Sequence, residues 1–134
     1  MSKTKKQGAG TSIEHYIQDA AEIRLTARLQ EEAERLGVAS KSISSEINKE
    51  FEKACVDGNI ETKFSKSKYS KNIEATYQSI VQDLIKKYPD RKFYFQCVDT
   101  EYRNLGKKGD ILIHFDDGEK ISVSVKNYQN GYSS

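Results

Sequence analysis

Residues 109–126 read GDILIHFDDGEKISVSVK, two short alternating runs on either side of Asp116-Asp117-Gly118, and the register of this hairpin decides the fold. A two-residue Asp117-Gly118 turn pairs Asp116 with Glu119 and Asp110 with Val125. Ile111, Ile113 and Phe115 then share a face with Lys120, Ser122 and Ser124, and both faces are mixed. A three-residue loop with Gly118 in the left-handed position of a G1 bulge pairs Phe115 with Glu119 and Asp110 with Ser124 instead. Under that pairing Ile111, Ile113, Phe115, Ile121, Val123 and Val125 make one apolar face. Asp110, Leu112, His114, Lys120, Ser122, Ser124 and Lys126 make the other. A slip of one residue turns every side chain of a strand over, and burying six such apolar residues is worth roughly 1.5–3 kcal/mol each. The bulged register is therefore the expected one.

Immediately upstream, residues 92–98 carry Phe93, Tyr94, Phe95 and Val98 and read as a third strand, joined to the hairpin by a loop over 100–108. Farther upstream the hydrophobic period changes from two to about 3.6. Ser12 opens a helix that Gly37 stops, about 12–36. A second helix spans about 43–56, with Ile43, Ile47, Phe51, Ala54 and Cys55 on one face. The Lys-rich segment 59–68 reads as a loop. A third helix over about 70–87 presents Ile73, Tyr77, Ile80, Val81, Leu84 and Ile85, and Pro89 closes it. The predicted architecture is α+β, three N-terminal helices followed by an antiparallel β-meander with strands at about 92–98, 110–115 and 120–126. Residues 1–11, with Lys3, Lys5 and Lys6, are read as a disordered basic tail, and 12–134 as one domain.

Composition narrows the function classes. The chain of 134 residues is 36% hydrophobic and 31% charged, and no apolar run approaches the ~18 residues of a membrane span. No apolar stretch follows the N-terminal lysines, which argues against a secretory signal. Cys55 and Cys97 lie far apart without CxxC spacing, as expected for free thiols of a cytoplasmic protein rather than a disulfide or zinc site. Net charge is only +2, but it is unevenly spread. Residues 1–62 carry nine Lys/Arg against eleven Asp/Glu, and residues 63–134 carry thirteen against nine. The basic clusters Lys63/Lys66/Lys68/Lys71, Lys86/Lys87/Arg91/Lys92 and Arg103/Lys107/Lys108 can neutralise phosphates.

In the bulged register Asp110 stands opposite Ser124, with Lys126 on the same face. A carboxylate there offers hard oxygen to Mg²⁺, and an ammonium beside it can orient a water or hold a phosphate. Gly109-Asp110 followed on the next strand by Ser124-Val125-Lys126 resembles the PD-(D/E)XK motif of restriction endonucleases and related nucleases. The resemblance covers about eighteen residues closely and 43–126 as a pattern of elements. It implies Asp110 as principal metal ligand, Lys126 as catalytic lysine, Ser124 in the position usually held by an acid, and a ligand from the Val125 carbonyl. The helix acid such nucleases often add is assigned to Glu50, ahead of its neighbours Glu46 and Glu52, because Glu50 lies beside the buried stripe of its helix.

The implied activity is Mg²⁺-dependent hydrolysis of DNA, with Lys107, Lys108, Lys66 and Lys68 on the phosphate backbone. The family pattern continues with a helix and a strand beyond the lysine, so the resemblance implies an incomplete restriction-endonuclease-like core. That core would be a fragment, or a subunit whose sheet is completed by a second copy or a partner chain. Two other readings stay open. One is a non-catalytic interaction module in which the hairpin is scaffold, and the other is a DNA-binding protein without catalysis. His114 falls on the polar face near Ser122, where it either assists proton transfer or is simply a strand histidine.

Overall fold

The computed structural model describes residues 2–97 and 111–123, with side chains from Ile13 onward except that of His15. In chain order it consists of α1 (Ser2–Arg35), α2 (Ser44–Gly58), α3 (Glu61–Ser65), α4 (Lys68–Lys87), β1 (Phe93–Cys97), β2 (Ile111–Phe115) and β3 (Lys120–Val123). The fold is α+β, helices first and an antiparallel three-stranded meander after them, as the change of period predicts. The tail read over 1–11 falls where side chains lie outside the described residues. Among the described residues no helix is long and apolar enough to cross a membrane.

One element was not expected, the short α3 within the segment read as a loop. Asn59 adopts a left-handed conformation (φ 54°) at the end of α2. Its N–H bonds the Val56 carbonyl (3.1 Å) and the Ile60 N–H bonds the Cys55 carbonyl (3.0 Å), the pattern of a Schellman motif. The turn delivers Ile60 and Phe64, one helical turn apart, into the core at 1% and 3% exposure. Two apolar anchors among lysines were the signal for this helix.

The core is built around α1. Ala20, Ala21, Ala27 and Ala33 are fully buried along it, and such small side chains let α2 and α4 approach closely. Leu25 and Leu29 join Phe93, Phe95, Ile111, Ile113 and Phe115 in one apolar cluster with Ile73, Ile80, Val81 and Leu84 of α4. A helix buried on so much of its circumference is central rather than superficial. Thus α1 packs against α2, α4 and β1, whereas α2 packs against α1 and α3.

The sheet has the bulged register. Ile111 pairs with Val123, Leu112 with Ser122, Ile113 with Ile121 and His114 with Lys120. The Phe115 N–H donates to the Glu119 carbonyl (2.8 Å) and the Gly118 N–H to the Phe115 carbonyl (3.1 Å), with Gly118 at φ 95°. Phe93, Phe95, Ile111, Ile113, Phe115 and Val123 are buried, while Gln96, Lys120 and Ser122 on the opposite face are exposed. The outer edge of β1 is covered. Residues Val38 to Ser40 run parallel to it, with the Phe93 N–H on the Val38 carbonyl and the Ser40 N–H on the Phe93 carbonyl, both at 3.0 Å. Among the described residues no strand pairs with the outer edge of β3.

Candidate functional site

Cys97, Ile111 and Val123 form one row across the three strands. In sequence Asp110 directly precedes Ile111, and Ser124 directly follows Val123. Asp110, Ser124 and Lys126 lie outside the described residues, as do Lys107 and Lys108. The strand pairing next to them is the one on which their juxtaposition was predicted.

Glu50 is exposed on α2, and the elements α2 packs on are α1 and α3. The helix that reaches the sheet is α1, and two contacts fix its direction there. At its C-terminal end Val38, three residues past α1, meets Phe93. Farther back, the Gln30 carboxamide oxygen accepts the Phe95 N–H at 3.0 Å. Moving toward the N-terminus of α1 therefore means moving along β1 from Phe93 toward Cys97. Glu22 lies eight residues before Gln30, about 12 Å along the helix axis, a rise that three to four strand residues match. Glu22 is only 7% exposed.

Three further carboxylates of α1 hold partners among the helices and their connection. Glu32 holds Arg35 through two contacts of 2.9 and 2.6 Å. Glu31 takes Arg28 (2.8 Å) and Asn48 (2.6 Å). Glu34 is bound to the start of α2, where it accepts the N–H groups of Ile43 (2.8 Å) and Ser44 (2.9 Å), the Ser44 hydroxyl (2.8 Å) and the Gln30 amide (2.8 Å). Burial alone would raise the Glu34 carboxyl, but these hydrogen bonds outweigh it and hold the group below the usual carboxylate range. Glu22 is a buried acid that the sequence reading did not single out. Its signal is the polar spacing Glu22, Thr26, Gln30 within a helix otherwise lined by alanine and leucine, all three of them buried.

The outward face of the sheet carries a layered group rather than a reactive one. The His114 ring stacks on Tyr94, with centroids 4.5 Å apart and planes 5° from parallel, and its Nε2 is hydrogen-bonded to the Gln96 oxygen at 2.7 Å. The Lys41 ammonium sits 4.5 Å above the Tyr94 ring. Partial burial, then the nearby Lys120 and Lys41, push the imidazole below its ordinary range. His114 is thus tied on its face by Tyr94 and at Nε2 by Gln96, as a strand histidine would be.

Of the lysines assigned to the phosphate backbone, Lys66 follows α3 and Lys68 opens α4, and both are exposed. Among the described residues no three His, Cys, Asp or Glu side chains gather as a metal site. A site with Asp110 in it draws on residues beyond those described. Set against family models, curated proteins and solved structures, the chain finds no match.

Proposed function

We propose that the chain is a Mg²⁺-dependent DNA endonuclease of restriction type, with Asp110, Lys126 and a helix acid, Glu22 or Glu50, as its working side chains. The observation that carries this reading is the register Ile111↔Val123 across the Gly118 bulge. It is the register from which the sequence reading pairs Asp110 with Ser124 and expects Lys126 on the same face. The donors fit the ion, because Mg²⁺ prefers hard carboxylate and carbonyl oxygens, and Asp110, Glu22 and the Val125 carbonyl offer those. Glu22 stands beside Glu50 as a candidate helix acid because α1 is the helix that packs on β1.

The division of labour follows from the chemistry of each group. Asp110 and Glu22 would hold the cation, which would supply Lewis-acid stabilisation of charge on the phosphate oxygens. Lys126 orients the attacking water and stabilises charge developing beside it. Ser124 contributes a neutral hydroxyl where an acid would add a charge. Two carboxylates in place of three give a weaker metal site, and rates that rise with Mg²⁺ into the millimolar range.

The test is cleavage of plasmid and phage DNA by the purified chain in 10 mM Mg²⁺ (about ten times a ~1 mM dissociation constant). Cleavage by the wild type, lost in both Asp110→Ala and Lys126→Ala, supports the nuclease. A wild-type chain that binds DNA without cutting it in Mg²⁺ rejects it, leaving the second reading, a non-catalytic DNA-binding or interaction module. Ser124 in the acid position is the feature that favours this alternative.

A further inference from the structure

We propose that Lys63, Lys66, Lys68 and Lys71 form a docking surface for the phosphate backbone of double-stranded DNA. The choice of DNA as the polyanion rests on the nuclease reading; the surface itself rests on charge and placement.

All four lysines are exposed, and among the described residues none of them is in an ion pair. The acid nearest in α4, Glu74, is held by Arg28 at 2.8 Å. Glu61 precedes Lys63 by two residues, a spacing that does not place two side chains on one side of a helix. Lys63 and Lys66, like Lys68 and Lys71, are three residues apart, the spacing at which like charges on a helix repel. The first turn of α4 contains no acid, although a helix start favours negative charge and disfavours lysine. Four unpaired cations in nine residues, two of them set against a helix dipole, work against the stability of the free chain. A polyanion relieves both the mutual repulsion and the dipole.

Placement gives the surface a direction. The Tyr69 hydroxyl, at the second residue of α4, bonds the Glu14 carboxylate on α1 at 3.1 Å. Glu14 lies sixteen residues before Gln30, about 24 Å along α1. The far end of α4 lies about 30 Å away, where Tyr88 packs on Phe115 with ring centroids 4.9 Å apart. Lys86 and Lys87 sit at that far end. Lys68 and Lys71 thus stand in the first turn of α4 and Lys86 and Lys87 in its last, so the two basic clusters occupy opposite ends of one helix and can be tested apart.

The experiment is fluorescence anisotropy of a labelled 30-base-pair duplex with the full chain, in EDTA, across about 50–200 mM salt. Each phosphate contact adds about 0.9 to the slope of log K against log salt. The fourfold variant Lys63→Ala, Lys66→Ala, Lys68→Ala, Lys71→Ala should flatten the slope by about 3.6, and Lys68→Ala alone by about 0.9. The Lys86→Ala, Lys87→Ala pair serves as control and should leave it unchanged. Circular dichroism checks that each variant folds. The proposal is overturned if the wild type does not bind the duplex, if the single Lys68→Ala slope is unchanged, or if the control pair flattens the slope as much per lysine. It is also overturned if the four lysines serve binding to phosphatidylserine vesicles but not to the duplex. Because no metal is present, failure of this surface is read separately from failure of the cleavage reaction, which Asp110→Ala removes while leaving duplex binding intact.

Discussion

Gln30 is the side chain on which the layers of the molecule meet. It is fully buried. Its oxygen accepts the Phe95 N–H (3.0 Å), and its nitrogen donates to the Lys41 carbonyl (2.7 Å) and to Glu34 (2.8 Å). One amide thus joins α1, the connection to α2 and the edge of β1. Gln30→Ala strands two backbone groups and is expected to cost about 3 kcal/mol, read as a shift of the urea midpoint at pH 7. Gln30→Glu keeps the acceptor for Phe95 but turns a second carboxylate toward Glu34. The deficit of this variant should be larger at pH 7 than at pH 5, because burial and Glu34 raise the new carboxyl and its protonated form restores a donor. Equal deficits at both pH values would mean that charge is not what the site rejects.

At the scale of elements, two termini carry checkable energies. The residue before α2 is Ile43, with no capping side chain, and Glu34 from α1 supplies the missing acceptors. Glu34→Ala should cost about 1–2 kcal/mol near neutral pH, as loss of a cap does. The folded-state carboxyl is held below its ordinary value of 4.5. Its contribution is therefore complete above that value and is lost as pH falls through the depressed one. The gap between wild type and Glu34→Ala should close on acidification, followed by urea unfolding from pH 7 to pH 3. At the hairpin, Gly118 holds φ 95° with no atom within 4 Å of an added Cβ, so strain alone governs the substitution. Gly118→Ala should cost about 1–2 kcal/mol, and Gly118→Asn less. The register was legible in sequence because the alternative mixed both faces of the sheet, an all-or-none difference that alternation exposes. The Glu34 cap was not, because nothing local in residues 42–44 marks a carboxylate arriving from ten positions upstream. Likewise α3 was hidden because a five-residue helix offers only Ile60 and Phe64 as its pattern.

For the whole molecule, the decisive fact is the order of layers, with α1 between the sheet and the remaining helices. Hydrophobic period tells which side of a helix is buried but not what it is buried against. The stripe on α2 is real, with Ile47 and Cys55 buried, yet it leads from Glu50 to α1 and not to the strands. The layering makes a prediction about metal that is independent of turnover. A cation bound only by the folded chain stabilises it by about 2.7 kcal/mol at a hundredfold excess over its dissociation constant, roughly 5–10 °C in Tm at this chain length. Saturating Mg²⁺ should raise the Tm of the wild type, and EDTA should reverse the rise. Asp110→Ala should abolish it, Glu22→Gln should diminish it, and Glu50→Gln should leave it whole. If Glu50→Gln removes the shift and Glu22→Gln does not, the cation is held on the α2 side and α1 is scaffold alone. The isosteric Gln variants make the comparison fair, since each keeps its side-chain volume and loses only the charge that a hard cation requires.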